Sequence, residues 1–281
     1  MTTFNVTPVF LDSPQGRIFV IHRHPCSLRA RQGVVLVPPF AEEMNRSRRM
    51  LVLLAEALAR CGYHAVLPDF YGTGDSEGEF SEASWHGWLD QLNCCVASMQ
   101  NEYGVGSYSL VGLRTGALLA TDYLKQFNAC PDKLVLWQPV VDGEVYLKQF
   151  LRLRLASSML AGEEGENTQA LVKSLADGEV VEVAGYALTS KVADGLSSSA
   201  LKSVVPGRLP ETCWVDLTAS NEVPPPLLNR NLVDAWNKSG ARVQHLAITG
   251  DSFWNSAEVI VNSGLVTQTV NFIRGGEVRG T

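Results

Sequence analysis

The fold of this chain is decided by residues 108–120, YSLVGLRTGALLA. An apolar, strand-like half of this stretch leads through a tight turn into a helix-like half. Gly112 and Gly116 flank the turn, and glycine allows a strand and a helix to pack closely around it. The central residue is Arg114, which is cationic at any ordinary pH and has no lone pair with which to attack a substrate. The stretch therefore predicts a strand–turn–helix unit without a nucleophile at its centre.

Apolar runs alternate with helical periodicity on both sides of this unit, which is typical of an α/β fold with a mostly parallel, doubly wound sheet. Asn45 is the predicted N-cap of the first helix. We predict strands at 6–11, 17–24, 34–37, 64–68, 108–111, 134–138, 213–218 and 242–248. The predicted helices are 45–61, 84–103, 115–127, 227–239 and a last one that ends near residue 274.

Residues 143–210 interrupt this alternation, because they contain helix-like segments (146–160, 168–175 and 198–205) and no short buried strand. We interpret them as a helical lid inserted between the sixth and seventh strands. The predicted core then consists of residues 1–142 and 211–274. Residues 275–281 are predicted to form a frayed tail.

Composition excludes several classes of function. The net charge of −6 and the pI near 5.4 argue against nucleic-acid binding, which usually requires a basic surface. The six cysteines include no C-x-x-C pair, which favours free thiols in a reducing compartment. No apolar run is long enough to span a bilayer, so we expect a cytoplasmic protein. His22 and His24 share one strand face but lack a third ligand, so we interpret them as surface residues and expect no metal or cofactor.

Several motifs carry a family resemblance. Residues 108–120 resemble the G-x-S-x-G nucleophile elbow of α/β-hydrolases, with Arg114 in place of the serine. Residues 69–76, DFYGTGDS, resemble the turn that is common after the fourth strand of that fold. Together with residues 38–45, 137–141, 149–155 and 253–254, these motifs resemble the second of two α/β-hydrolase-like families that accompany the exosortase A system of exopolysaccharide-producing Gram-negative bacteria.

The exosortase A system sorts proteins that bear a short C-terminal Pro-Glu-Pro signal (PEP-CTERM). The resemblance covers nearly the whole chain and includes the replacement of serine by arginine. It implies an α/β-hydrolase fold of about eight strands with a helical lid. It also implies a cytoplasmic accessory role in envelope or polysaccharide biology, with a possible protein partner in that system.

A hydrolase of this fold needs a serine, an acid and a histidine in that order along the chain. The acid position falls near Glu222, with Asp142 as the alternative. The loop after the last strand, residues 249–256, has the sequence TGDSFWNS and contains no histidine. Phe253 and Trp254 are therefore expected to border the pocket at the missing histidine. His245 lies inside the last strand, where packing is the favoured role.

The start of the helix after Arg114 predicts an anion site, because free N–H groups and the helix dipole favour negative charge there. Leu113, Thr115 and Phe40 would complete it, with the N–H groups of Phe40 and Thr115 as donors. The alternative is an internal ion pair between Arg114 and a carboxylate, since an unpaired buried guanidinium is costly. The candidate carboxylates are Glu42, Glu43 and Glu222.

Three functions follow from these observations. The favoured one is a triad-degenerate accessory protein that binds a small anionic ligand. The first alternative is a hydrolase or acyl-transfer enzyme acting on an ester or thioester through water activated by Glu42, Glu43 or Glu222. The second is an adaptor for a protein of the export machinery. A pocket lined by Arg114 would favour the first two functions, and a closed lid with an apolar outer patch would favour the adaptor.

Overall fold

The computed structural model describes residues 3–26, 30–160, 167–220 and 222–278. An eight-stranded sheet is formed by β1 (Phe4–Leu11), β2 (Ile18–Pro25), β3 (Gln32–Val37), β4 (His64–Pro68), β5 (Ser107–Leu113), β6 (Lys133–Trp137), β9 (Glu211–Thr218) and β10 (Val243–Thr249). The order of its strands is β1-β2-β4-β3-β5-β6-β9-β10. Strand β2 is antiparallel to β1 and β4, and the other neighbours are parallel, which confirms the predicted sheet. A separate hairpin is formed by β7 (Val181–Val183) and β8 (Tyr186–Leu188).

Helices cover both faces of the sheet. They are α1 (Ala41–Arg60), α2 (Trp85–Tyr103), α3 (Thr115–Gln126), α4 (Gly143–Leu160), α5 (Thr168–Ala176), α6 (Ser190–Ser198), α7 (Leu227–Lys238) and α8 (Ser263–Ile273). Val34 and Leu36 of β3 pack with α1 and α8, whereas Val35 and Val37 pack with α2, α3 and the insert. Burial on both faces explains why the central strands are continuous apolar runs rather than alternating ones. Among the described residues, no helix is long and apolar enough to cross a membrane.

Helix α1 begins four residues before the predicted position, so the prediction of Asn45 as its N-cap is wrong. Phe40 precedes the first helical residue, and no side chain caps the helix. Glu42 and Glu43 lie in the first turn, where negative charge interacts favourably with the free N–H groups. The early start places both carboxylates just beyond the carboxyl end of β3.

The insert between β6 and β9 is not purely helical. It contains α4, α5 and α6 and also the β7–β8 hairpin, so the prediction of no strands in this segment is wrong. The hairpin turns at Ala184 and Gly185, which have φ of 50° and 85°, as a two-residue turn of this kind requires. The predicted helix at 198–205 is also wrong, because α6 ends at Ser198 and only short 3₁₀ turns follow. Residues 279–281 of the predicted tail lie outside the described residues.

The surface interpretation of the strand histidines is wrong for His22, which is 2% exposed. Its Nε2 lies 3.0 Å from Nδ1 of His64, and Tyr103 packs edge-on against its ring. His24 is half-buried, with Nε2 3.2 Å from the hydroxyl of Thr7. Within the described ranges, no three His, Cys, Asp or Glu side chains are arranged to hold a metal ion.

Candidate functional site

The elbow between β5 and α3 holds Arg114 in a conformation that is rare for residues other than glycine, with φ 54° and ψ −117°. Backbone hydrogen bonds fix it: the Arg114 N–H donates to the carbonyl of Trp137 at 3.0 Å, and the Arg114 carbonyl accepts from Val140 at 3.2 Å. Gly116 permits the close approach of α3 to β3, because a Cβ there would lie 2.2 Å from the carbonyl oxygen of Val37. The sharp turn of a nucleophile elbow is thus present.

The guanidinium of Arg114 is neutralised inside the protein. Its Nε and Nη2 each lie 3.3 Å from Oε1 of Glu43, and its Nη1 donates to the carbonyl of Gln138 at 3.2 Å. The rings of Trp254 and Tyr146 lie over the guanidinium carbon, with centroids at 5.2 and 5.9 Å. The Arg114 and Glu43 side chains are 17% and 14% exposed. Of the three candidate carboxylates, the structure pairs Glu43 with the arginine.

Burial dominates the electrostatics of Glu43. It raises the pKa of this carboxyl above its usual value, while the charge of Arg114 and hydrogen bonds from Arg114 and Tyr146 act in the opposite direction. Burial also raises the pKa of Tyr146 well above 10, and the charge of Glu43 adds to this effect. Tyr146 therefore remains a protonated donor beside the ion pair.

The other predicted acids lie in different surroundings. Glu42 projects from α1 with half of its side chain exposed and pairs with Arg46 at 3.1 Å. Glu222 is exposed in the segment that precedes α7. Asp142 accepts a hydrogen bond from the Val145 N–H at 3.2 Å and forms an ion pair with Lys202 at 3.0 Å. Asp142 thus fixes the start of the insert.

Aromatic side chains fill the position where a catalytic histidine would lie. Phe253 and Trp254 are 1% and 4% exposed, and Phe253 packs edge-on against Trp137. Together with Leu113, which is fully buried, they surround a space with no room for a water molecule. These residues do come together beside the elbow, and they form a packed aromatic wall there.

The predicted anion-binding donors are enclosed as well. Phe40 packs against Tyr146 and Phe150 of the insert at ring distances of 6.0 and 5.5 Å. The hydroxyl of Thr115 is buried without a hydrogen-bond partner. Phe40 and Thr115 border a void of about 10 Å³, which has room for a single water molecule at most. The insert is closed over the carboxyl ends of β3 and β5.

The sequence analysis did not identify two features: the role of Tyr146 beside the ion pair, and the partner of His245. Tyr146 lies one turn into α4, shortly after the sixth strand of the sheet. Its position close behind the carboxyl end of that strand is the feature of the sequence that would have indicated it. His245 has a partner that the packing interpretation did not include, because its Nε2 lies 2.7 Å from the fully buried carboxylate of Asp216. Asp216 also accepts from Trp214 at 3.2 Å and from Asn229 of α7 at 2.9 Å. This acid–histidine pair links two strands of the sheet, and Asp216 connects them to α7.

Solved structures with the same architecture are esterases and related hydrolases. Est1E from Butyrivibrio proteoclasticus, bound to ferulic acid, has a TM-score of 0.68 and 16% identity, with 95% of this chain and 97% of Est1E covered. A thermostable carboxyl esterase from Bacillus coagulans has a TM-score of 0.59 and 14% identity, covering 97% and 99%. XC6422 from Xanthomonas campestris, an α/β serine hydrolase without a lid, has a TM-score of 0.56 and 15% identity, covering 96% and 95%.

Similarity at such identities shows the α/β-hydrolase fold alone. Among curated proteins, none has significant sequence similarity to the chain. The family model described as serine aminopeptidase, S33, matches residues 29–182, more than half of the chain. The chain therefore belongs to the serine aminopeptidase S33 family of α/β-hydrolase-fold proteins.

Proposed function

We propose that this α/β-hydrolase-fold protein acts by binding, without Ser–His catalysis, as an accessory protein of the exosortase A system. The observation that carries the proposal is the ion pair between Arg114 and Glu43 at the position of the nucleophile. A serine elbow presents a free hydroxyl to its substrate and a histidine to accept the proton. Here the elbow presents a neutralised guanidinium, which can neither attack a carbonyl nor accept a proton.

The neighbouring side chains support this proposal. Trp254 stacks on the arginine and Phe253 is buried behind it, so aromatic rings stand where the base would act. The void beside Phe40 is too small for an acyl group. A small anion at Arg114 remains a prediction, and it would have to displace Glu43 from the guanidinium.

The accessory role rests on the resemblance of the motif runs around residues 38–45, 69–76 and 108–120 to an exosortase-associated family. A cytoplasmic location and a protein partner from the export machinery belong to the same proposal. The acidic net charge is unfavourable for a nucleic-acid partner.

One observation favours a second candidate, a hydrolase that activates water. Glu43 is a buried carboxyl with a raised pKa beside an elbow, which is a common setting for a general base. In this candidate Arg114 would stabilise a developing oxyanion. Against it, the arginine engages the same carboxylate that would have to accept the proton.

Hydrolysis of p-nitrophenyl acetate and p-nitrophenyl butyrate by the purified protein separates the two candidates. We expect rates no greater than those of solvent controls. Turnover that disappears in Glu43→Gln and persists in Glu42→Gln would instead establish the water-activating enzyme. Glu42 is a matched control, because it is the adjacent residue of the same helical turn and its side chain is exposed.

A further inference from the structure

We propose that a second cavity, at the C-terminal half of α3, binds a small amphiphilic carboxylate of the medium-chain fatty acid type. This α3 cavity is lined by residues within 121–125 of α3 and by residues within 198–209, the segment that leads from the insert into β9. The inference rests on the proposed binding function and gives it a site and a class of ligand.

The α3 cavity has the size of a ligand site. Its volume is about 320 Å³, compared with about 10 Å³ for the void at the elbow. Pockets that hold small molecules measure roughly 300–1,000 Å³ and are largely preformed. Space for a ligand is therefore found beside α3 and not beside Arg114.

The walls of the α3 cavity are anchored independently of any ligand. Leu201 is fully buried, and its N–H donates to the carbonyl of Val141 at 2.8 Å. The next residue, Lys202, forms the ion pair with Asp142 at the start of α4. On the opposite wall, Leu124 of α3 is 6% exposed. Both walls thus belong to the packed structure, and the cavity does not depend on loop closure.

Both walls of the α3 cavity contribute apolar surface. Leu124, Val204, Val205 and Leu209 contribute aliphatic side chains to its lining. Val205 is 58% exposed, which is high for a valine in an anchored segment. Contact with a hydrocarbon chain would remove this apolar surface from water, which is the main driving force for such binding.

Charge selects the polar end of the ligand. Among the described residues that line the α3 cavity, Lys125 and Arg208 are basic and Asp122 is acidic. Asp122 already accepts a hydrogen bond from the Trp85 indole at 2.9 Å, and an adjoining open groove adds another cation, Lys191. The lining is therefore net positive. An arginine fork binds a carboxylate through two parallel hydrogen bonds, so Arg208 is the expected anchor of the head group.

Isothermal titration calorimetry of the purified protein with three probes of equal chain length tests this inference. We expect sodium octanoate to bind, octan-1-ol to bind more weakly, and octylammonium to show no binding. Arg208→Gln should weaken octanoate binding about tenfold, as expected for the loss of a charged hydrogen bond. Arg230→Gln, the same change on the exposed surface of α7, should leave it unchanged. Equal binding of the three probes, or no octanoate binding, would overturn the inference.

A second variant locates the ligand. Ser203 is an exposed residue of the cavity wall, and Ser203→Phe should fill the space and abolish octanoate binding without lowering the melting temperature. If Ser203→Phe retains binding and the double variant Arg114→Gln/Glu43→Gln loses it, the ligand lies at the elbow. That result would overturn the α3 cavity and leave the proposed binding function intact. Conversely, ester hydrolysis by the natural protein would overturn the proposed function and leave octanoate binding as an independent result.

Discussion

At the residue scale, the pairing of Arg114 with Glu43 ties the stability of the protein to its elbow. Glu43→Gln would leave a guanidinium with little solvent and no counter-charge, and removal of one partner from a buried pair costs about 3 kcal/mol. We expect the double variant Glu43→Gln/Arg114→Gln to be more stable than the sum of the two single changes predicts, by about 1–3 kcal/mol. Urea denaturation measures all three. Additive effects would show that the pair is energetically uncoupled.

The control for this cycle is Glu42→Gln. Its partner Arg46 is on the surface of the same helix, so we expect the free energy of unfolding to change by no more than about 0.5 kcal/mol.

The sequence indicates both glutamates as candidate partners of Arg114 and does not distinguish between them. The choice depends on where α1 begins: with Ala41 as the first residue, Glu43 faces the elbow and Glu42 faces solvent. This helix start has no side-chain cap, so no capping residue marks it in the sequence.

His22 makes the protein sensitive to acid. Burial, followed by the charges of His64 and His24, lowers the pKa of His22 from 6.5 to about 3. Between pH 6.5 and pH 3, His22 binds a proton in the unfolded chain but not in the folded protein. The free energy of unfolding therefore decreases as the pH is lowered, by up to about 1.4 kcal/mol per pH unit. We expect the free energy of unfolding, measured with guanidinium chloride between pH 7 and pH 4, to depend less steeply on pH for His22→Gln than for the natural protein.

The comparison for this measurement is the natural protein under the same conditions. If His22→Gln shows the same dependence of the unfolding free energy on pH as the natural protein, the acid sensitivity arises from other groups.

At the scale of elements, the insert is fixed to the core by close backbone packing. A Cβ at Gly195 of α6 would lie 2.2 Å from Cβ of Trp85 at the start of α2. Glycine to alanine inside a helix normally stabilises it by about 1 kcal/mol. Here we expect Gly195→Ala to reverse that sign and destabilise the protein by about 1–3 kcal/mol, because the helices must separate. Gly207→Ala, where nothing lies within 4 Å, should change the unfolding free energy by less than about 0.5 kcal/mol.

The elements differ in how far the sequence predicts them. The parallel strands at the centre of the sheet are predictable from the sequence because they are buried apolar runs that alternate with helices. The antiparallel strands β1 and β2 are predictable because a turn sequence separates two strand-like runs. The β7–β8 hairpin was not recognised, since strands of three residues are too short to show a period. Its signal was the pair Ala184-Gly185 between two short alternating segments. The pairing of Asp216 with His245 was also hidden, because it depends on two strands being neighbours in the parallel sheet.

At the scale of the whole molecule, the fold keeps the architecture of a hydrolase and closes its centre. The insert packs Tyr146 and Phe150 onto Phe40, and Trp254 packs onto the arginine from the other side. The α3 cavity lies about three turns at most from the elbow along that helix. The α3 cavity and the elbow are thus separate places in this protein.

The packing at the elbow predicts that a serine at position 114 will not by itself give the protein esterase activity. Arg114→Ser supplies a hydroxyl at the elbow, but Phe253 and Trp254 still fill the place of the base. In serine hydrolases, loss of the histidine alone costs about 10⁶ in turnover, as much as loss of the whole triad. We therefore expect p-nitrophenyl acetate hydrolysis by Arg114→Ser to equal the solvent control.

The comparison variant is Arg114→Ser/Glu43→Gln, because the substitution of Arg114 frees Glu43 to accept a proton. Turnover in the single variant that vanishes in the double one would mean that Glu43 replaces the histidine, and that the aromatic wall does not block the chemistry.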